Sequence, residues 1–241
     1  MIAVYNLYLS LAGQAILHDV SFELEDGHHL IILGRSGSGK TVLIKTILGF
    51  FPPVGGSVKV DGVDVYADAD YAESFIRHSF AMVFQNSALL DSYTVFQNVA
   101  LPLYERGELD HLAIRDKVEH CLSVVGLDQL MKKYPSELSG GMLKRVGIAR
   151  ALVYDPRYII FDEPVSGLDP VTSAEILYYL KQIIGSVQAT AITITHDMGH
   201  LRDLGDRVLF LEQGRVLYYG PLAHINDSEE PLIRQFLQTG S

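Results

Sequence analysis

The apolar residues near the start of the chain follow the alternating spacing of β-strands. Residues 2–7 alternate, and the pairs Ala12-Gly13 and Asp26-Gly27 interrupt the apolar pattern before the continuous run Leu30–Leu33. Alternation with a period of two indicates half-buried strands, while a turn residue followed by Gly indicates a tight connection. We therefore predict antiparallel strands over residues 2–33, the last of them a buried strand.

Beyond this segment, short apolar runs alternate with stretches that have the three- or four-residue spacing of helices. Alternation of strands with helices predicts an α/β fold with a mainly parallel sheet. Residues 86–156 are mostly helical with no linker at either end, so we predict a helical subdomain inserted into one domain. Strands are predicted at 57–62, 80–84, 158–161, 191–195 and 207–211, and helices at 42–48, 95–104, 112–125, 142–153 and 173–184.

A glycine-rich loop, Gly34-Arg-Ser-Gly-Ser-Gly-Lys-Thr41, lies between a predicted strand and a predicted helix. This frame, G-x-x-x-x-G-K-[ST], is typical of loops that bind nucleotide phosphates, because its backbone N–H groups face one anion at a helix N-terminus. Lys40 would reach the β- and γ-phosphates and Thr41 would bind Mg²⁺; the alternative is an ordinary loop. The predicted nucleotide-binding residues are Gly34, Arg35, Ser36, Gly37, Ser38, Gly39, Lys40 and Thr41.

The charge balance narrows the partners of such a site. The 241 residues include 19 basic and 29 acidic side chains, which gives a net charge of −10. Nucleic acids and anionic lipid surfaces attract clustered Lys and Arg, so neither is expected as a direct partner. No apolar run approaches the length of a membrane helix, so we expect another chain to hold this protein at any membrane.

Two adjacent acids, Asp162 and Glu163, follow the apolar run Tyr158–Phe161. Adjacent carboxylates at the end of a buried strand are costly unless a cation or a proton transfer uses them. Asp162 suits a contact to Mg²⁺, and Glu163 suits a general base that polarises an attacking water. The alternative is an acid pair that simply faces solvent.

The segment Leu138-Ser139-Gly140-Gly141-Met142 completes a set of motifs that resembles the nucleotide-binding subunits of ABC transporters. Ser139 is a candidate N-cap, and the two glycines would let a phosphate approach the backbone. The resemblance covers nearly the whole chain. Met142 departs from the family pattern, which has Gln there, so we assign Met142 no ligand.

The resemblance implies further roles around ATP. Gln85 matches the residue that touches Mg²⁺ and the attacking water, and Asp169 matches the loop after the catalytic acids. His196 matches the histidine that contacts the γ-phosphate. Leu11 stands where an aromatic residue usually stacks on adenine, so the preference for ATP over GTP rests on the resemblance alone.

In the family, two cassettes pair head to tail, and each ATP lies between the phosphate-binding loop of one and the signature Ser139–Gly141 of the other. The resemblance therefore implies a second ABC subunit, and we expect a homodimer. It also implies that residues 85–103 receive a helix from an integral membrane permease; the alternative is that their apolar side chains only pack the helical subdomain.

Residues 85–92 have the sequence Gln-x-x-Ala-Leu-x-Asp-Ser. Together with Ser-Gly-Gly-Met and Lys144-Arg145, this sequence resembles the Mla/Mce-type lipid transport ATPases. That branch implies phospholipid or a related lipid as cargo, a Mce-domain lipid-binding protein as a partner, and a place at the cytoplasmic face of the bacterial inner membrane. In the tail, residues 225–241, apolar residues of 231–237 share one helical face, so we predict docking on protein, and the other protomer is a candidate.

Three other functions stay open. A related cassette could power the transport of another substrate. A DNA-maintenance ATPase would need a long coiled-coil insertion, yet only about a hundred residues separate Lys40 from Ser139. A cell-division-type regulator without turnover would be favoured by a missing base or switch residue, but Glu163 and His196 are both present.

Overall fold

The described part of the chain consists of two sheets with helices packed around them. The computed structural model describes residues 1–107, 110–186, 189–196, 202 and 204–239. The strands are β1 Ile2–Leu11, β2 Gln14–Leu24, β3 Leu30–Leu33, β4 Gly55–Val60, β5 Val63–Asp64, β6 Phe80–Val83, β7 Tyr158–Asp162, β8 Thr190–Ile194, β9 Arg207–Glu212 and β10 Arg215–Pro221. The helices are α1 Lys40–Ile47, α2 Ala69–Ser79, α3 Val95–Arg106, α4 His111–Val124, α5 Gly140–Leu152, α6 Pro170–Ser186 and α7 Pro231–Thr239.

The larger sheet has the strand order β10-β9-β3-β8-β7-β6. Strands β9, β3, β8, β7 and β6 run parallel, and β10 joins β9 as an antiparallel edge. Strands β3, β7 and β8 are apolar and almost entirely buried, as expected for a parallel sheet covered on both faces. The predicted α/β fold with a mainly parallel sheet is confirmed.

The smaller sheet is antiparallel, with the order β2-β1-β4-β5. Its inward side chains share one core with α1 and with one face of the larger sheet; Leu7, Leu43 and Ile192 are fully buried members of that core. The predicted turns Ala12-Gly13 and Asp26-Gly27 lie between strands, with Gly13 and Gly27 at positive φ. The antiparallel prediction is thus confirmed for residues 2–24. It is wrong for Leu30–Leu33, because β3 is a buried strand that runs parallel to β8 and β9 in the larger sheet.

Helices α3, α4 and α5 pack together over β6 and β7, and they share a second core with α6. Thr94 closes the start of α3 with a capping box to Gln97, and Ser139 accepts the N–H of Met142 at the start of α5. The helix predicted from Met142 begins two residues earlier, because both signature glycines belong to its first turn. The position of Ser139 as an N-cap is confirmed.

Helix α2 and strand β10 were not predicted from the pattern. Helix α2 is mostly polar, although Ala72 and Ile76 are buried. Its one clear signal is Asp68, whose carboxylate accepts the N–H of Tyr71 at 3.2 Å. Strand β10 is half-buried and carries aromatic residues that the alternation rule did not single out.

The tail helix α7 packs against the outer face of the larger sheet of its own chain. Ile233 is fully buried with Ile31 and Phe210 in a third, smaller core. The ring of Phe236 meets that of Phe210 edge to face, with ring centres 5.1 Å apart. The tail therefore docks on protein within the chain, and its docking on a second protomer stays a prediction.

Candidate active site

The strand register brings the predicted site residues to one edge of the larger sheet. Ile32 pairs with Ile194, and Ile194 pairs with Asp162, so the carboxyl ends of β3, β8 and β7 lie level. Val83 pairs with Phe161 in the next strand. Gly34 and His196 lie two residues beyond this level, and Glu163 and Gln85 lie one residue beyond it. All four residues therefore leave neighbouring strands at nearly the same height.

The loop Gly34–Thr41 follows β3 and packs against the end of β9. A side chain at Gly34 would place Cβ 2.1 Å from the carbonyl oxygen of Leu211, so glycine is the residue that fits. Gly39, with φ of +105°, turns the chain into α1. The carbonyl of Ser38 accepts the N–H of Gly214 at 2.9 Å, which anchors the loop to the turn after β9. The loop shape is thus fixed by close backbone contacts.

Lys40 closes this loop with its own side chain. The Lys40 ammonium donates to the carbonyl oxygens of Gly34 at 2.7 Å and Arg35 at 3.0 Å. Burial lowers the pKa of Lys40, while the carboxylates of Glu163, Asp162 and Glu212 oppose that change. The buried hydroxyl of Ser38 has no hydrogen-bond partner among the described residues. A cation and a spare donor therefore lie inside the loop, as phosphate binding requires.

The oxygen ligands for a cation lie at the rim of the loop. Thr41 is exposed on the first turn of α1, and Asp162 is half-buried at the end of β7. Burial, reinforced by Glu163, raises the pKa of Asp162 above its usual range. Among the described residues, no three His, Cys, Asp or Glu side chains group as a metal site. A carboxylate and a hydroxyl fit Mg²⁺, which is often held by few protein ligands together with substrate phosphates.

Glu163 lies in a strained position beside His196. Its backbone is left-handed, with φ of +47°, and its N–H donates to the carbonyl of Ile194 at 3.0 Å. A Glu163 carboxylate oxygen lies 2.8 Å from His196 Nδ1, and the other lies 3.5 Å from the Thr195 hydroxyl. A strained backbone conformation of this kind persists only where surrounding contacts hold it in place, and such residues are concentrated at active sites.

Gln85 is joined to the same group of residues. Its side-chain amide donates to the Ser166 hydroxyl at 3.2 Å, and the Ser166 N–H donates to the Glu163 carbonyl at 3.2 Å. The structure therefore brings Gln85, Glu163 and His196 together beside Lys40, as the motifs predicted.

The signature segment lies apart from this group. Ser139 and Gly140 are exposed at the start of α5. A Cβ at Gly141 would lie 2.7 Å from Thr172 Cγ2, so the signature packs closely on α6. Asp169 caps α6 by accepting N–H groups from Val171 and Thr172, each at 3.1 Å. No hydrogen bond or ion pair of the described residues joins Ser139–Gly141 to the phosphate-binding loop.

Leu11 is the other predicted residue that stays outside the group. It ends β1, pairs with Gln14 and packs half-buried against the core, so its contact with adenine stays a prediction. Sequence reasoning gave no role to Glu212 and used Lys144 only for the resemblance, yet both are charged groups next to the site. The position of Glu212 at the carboxyl end of strand β9 was the available signal.

Three features define a P-loop nucleoside triphosphatase: the strand–loop–helix unit, the buried Lys40 and the acids at the end of β7. A family profile described as ABC transporter matches residues 17–166. The "Probable ribonucleotide transport ATP-binding protein mkl" of Mycobacterium leprae is 38% identical over 236 residues, covering 98% of this chain and 68% of that one. The "Methionine import ATP-binding protein MetN 2" of Pseudomonas entomophila is 41% identical, covering 92% and 67%.

Among solved structures, a dimer of the ATP-binding cassette MJ0796, described as a post-hydrolysis state with ADP and Pi, superposes with a TM-score of 0.81. It is 30% identical, and the match covers 92% of this chain and 99% of that one. The chain belongs to the ABC transporter family and is one of its ATPase cassettes. No helix of the described residues is long and apolar enough to cross a membrane.

Proposed function

We propose that this chain is the ATP-hydrolysing subunit of a membrane transport complex whose cargo is phospholipid or a related lipid. ATP hydrolysis is supported by the contact of Glu163 with His196 beside the phosphate-binding loop, where Glu163 Oε1 lies 2.8 Å from His196 Nδ1. A carboxylate held by a neighbouring imidazole can polarise a water near the γ-phosphate.

Each residue of this site has a separate role in the proposed hydrolysis. Lys40 neutralises phosphate charge, and the backbone N–H groups of the loop bind the same anion. Glu163 takes the proton of the attacking water, while His196 orients Glu163 and reaches the γ-phosphate. Thr41, Asp162 and Gln85 would hold Mg²⁺, which supplies charge stabilisation for the phosphates when bound.

A second copy of the chain supplies the missing face of the site. Ser139 and Gly140 are exposed and make no contact with the loop of their own chain within the described residues. The N-terminus of α5 carries backbone donors and a positive pole that suit a phosphate. We therefore propose a head-to-tail homodimer with ATP between Lys40 of one copy and Ser139 of the other, a pairing supported by the dimeric MJ0796 cassette.

The permease would bind next to Gln85. A groove of about 360 Å³ opens there between β6, α3 and α5, and its walls are largely apolar. Phe84 and Leu90 are exposed beside it, and exposed apolar surface next to a groove suits a helix from a partner. Through this contact the chain would lie at the cytoplasmic face of the bacterial inner membrane. The groove is lined by Met82, Phe84, Ala88, Leu101, Pro102, Glu105, Arg150, Ala151 and Tyr154.

Sequence resemblance supports lipid as the cargo. Lipid transport and a Mce-domain partner rest on the resemblance of residues 85–92 and of Ser-Gly-Gly-Met to the Mla/Mce branch. The names of the two relatives, a ribonucleotide transporter and a methionine importer, favour a second candidate, which is transport of a small polar substrate.

Co-purification in mild detergent tests the proposal. We expect the tagged chain to retain a multi-span permease and a Mce-domain protein, and phospholipid in excess of a detergent-matched control. Recovery with an amino-acid-type permease and a periplasmic binding protein would overturn the lipid assignment. A Phe84→Glu variant should lose the permease but keep ATP binding, because the charge would enter the apolar groove.

A further inference from the structure

One face of helix α5 holds the segment that follows strand β6. Lys144, Gly147 and Arg150 are spaced three residues apart on this helix, so they lie along one face. A Cβ at Gly147 would lie 3.4 Å from the side chain of Ser87 and 3.5 Å from its Cα. The absence of a side chain at Gly147 therefore lets the helix and the segment pack directly together.

Lys144 is a buried cation at the start of this face. It is 6% exposed, and its ammonium donates to the backbone carbonyl of Gln85. Burial lowers the pKa of Lys144, while the nearby carboxylates of Asp162 and Glu163 oppose that change. Burying a cation is costly unless it is paired, so the position of Lys144 is tied to these partners.

Arg150 holds the other end of the segment. Its guanidinium donates to the carbonyls of Ser87 and Ala88, each at 2.7 Å. Both residues have left-handed backbones, with φ of +57° and +45°. A non-glycine residue is rarely stable in this region, so two in succession require outside support. Arg150 supplies that support through both carbonyls.

These contacts continue from Lys144 to the catalytic acid. Lys144 binds the Gln85 carbonyl, the Gln85 amide binds Ser166, and the Ser166 N–H binds the Glu163 carbonyl. Helix α5 begins with the signature Ser139–Gly141, one turn before Lys144. A continuous series of hydrogen bonds therefore joins the signature helix of a chain to the acid of the same chain.

We infer that Lys144 is a positioning residue, which fixes Gln85 and thereby Glu163 according to the position of the signature helix. This inference rests on the proposed hydrolytic function. When Ser139–Gly141 binds the ATP of a second copy, that contact sets the position of α5. Lys144 then transmits this position through Gln85 to the acid of its own chain. The two ATP sites of the dimer would then be linked through each chain.

Steady-state ATP hydrolysis by three variants tests this role. Lys144→Met removes the charge and the donor at similar length, Lys144→Arg keeps both, and Lys132→Met is a control at an exposed lysine. We expect Lys144→Met to lower kcat about tenfold, because small misplacements of reacting groups are expensive. KM for ATP should change less than about twofold, because the lost bond is to the Gln85 carbonyl and not to bound ATP. Lys144→Arg should recover most of kcat.

Hydrogen exchange gives a second readout that does not need turnover. We expect amides of residues 85–89 to exchange faster in Lys144→Met than in the wild type or in Lys132→Met. Lys144→Gln, which keeps a donor without the charge, replaces Lys144→Met if that variant is not recovered folded. Wild-type kcat in Lys144→Met, an equal loss in Lys144→Arg, or unchanged exchange at 85–89 would overturn the inference. Absence of hydrolysis by the wild type would instead contradict the proposed function.

Discussion

Glu163 shows how the backbone prepares a side chain for chemistry. Its left-handed conformation turns the chain just after β7, and the N–H bond to Ile194 ties that turn to the neighbouring strand. The carboxylate is then directed toward His196 and Thr195 rather than into the sheet. The strained backbone therefore lies at the residue that we propose as the general base.

Replacing Glu163 with Gln should leave the fold and ATP binding intact and lower kcat about a hundredfold or more, because an amide cannot accept the proton. Steady-state hydrolysis and equilibrium binding of ATP measure the two effects. Glu73→Gln, on the exposed surface of α2, is the matched control. A wild-type rate in Glu163→Gln would remove the role assigned to this carboxylate.

His29 makes folding sensitive to acid. Its Nδ1 accepts the N–H of Ala191 at 3.2 Å, so the ring is neutral, and burial lowers its pKa below 6.5. The unfolded chain therefore binds this proton more readily than the folded one. The contribution of His29 is present above about pH 6.5 and is lost as pH falls below it, by at most about 1.4 kcal/mol per pH unit.

Urea unfolding of the wild type and of His29→Gln between pH 7.5 and 5.5 measures this effect. We expect the stability of the wild type to fall more steeply with acid than that of the variant. His78→Gln, on the exposed end of α2, should keep the wild-type slope. Parallel slopes for the wild type and His29→Gln would show that His29 does not take up the proton.

Helix α7 is a short amphipathic element that covers the part of the larger sheet formed by β3 and β9. Its contact with the phosphate-binding loop is direct, since Arg35 donates to the side chain of Gln235 at 3.2 Å. The helix has nine residues, so packing rather than intrinsic propensity holds it in place.

Ile233→Ala should lower the free energy of unfolding by about 2 kcal/mol or more, because a fully buried Ile loses its contacts. Leu232→Ala, one position away and 38% exposed, is the matched control and should cost less than about 1 kcal/mol. Chemical denaturation of both variants provides the comparison. Equal losses would mean that α7 does not pack as described.

The helices and strands that the sequence revealed have a clear apolar pattern. Strands β3, β7 and β8 are short, largely apolar runs buried on both faces, and helix α4 has its apolar residues on one buried face. Helix α2 was missed because it buries only a narrow stripe, and the first turn of α5 was missed because glycines disfavour helices. The site motifs could be found because phosphate chemistry restricts residue types. The contact of Lys144 with Gln85 joins residues far apart in the chain, and no local pattern encodes it.

The chain as a whole carries two separate half-sites. The loop Gly34–Thr41 and the signature Ser139–Gly141 belong to different helices, α1 and α5, and no described contact joins them. In the proposed homodimer a second molecule completes each ATP site, so we expect hydrolysis to depend on protein concentration.

Mixing experiments test this dependence. We expect excess Lys40→Ala protein to lower the rate per wild-type chain, because mixed dimers contain one loop that cannot bind phosphate normally. Hydrolysis is measured at a fixed wild-type concentration while the variant is titrated. Lys132→Ala protein, with its substitution on the exposed surface, is the control and should not lower the rate. A constant rate per wild-type chain with Lys40→Ala would argue against the homodimer.

The bonds of Lys40 to the carbonyls of Gly34 and Arg35 have a consequence for the affinity of the loop for phosphate. Both carbonyls belong to the loop itself, so a phosphate that binds Lys40 competes with them for the ammonium protons. The affinity for nucleotide then reflects the difference in free energy between two sets of hydrogen bonds, and not the full strength of the bonds to phosphate.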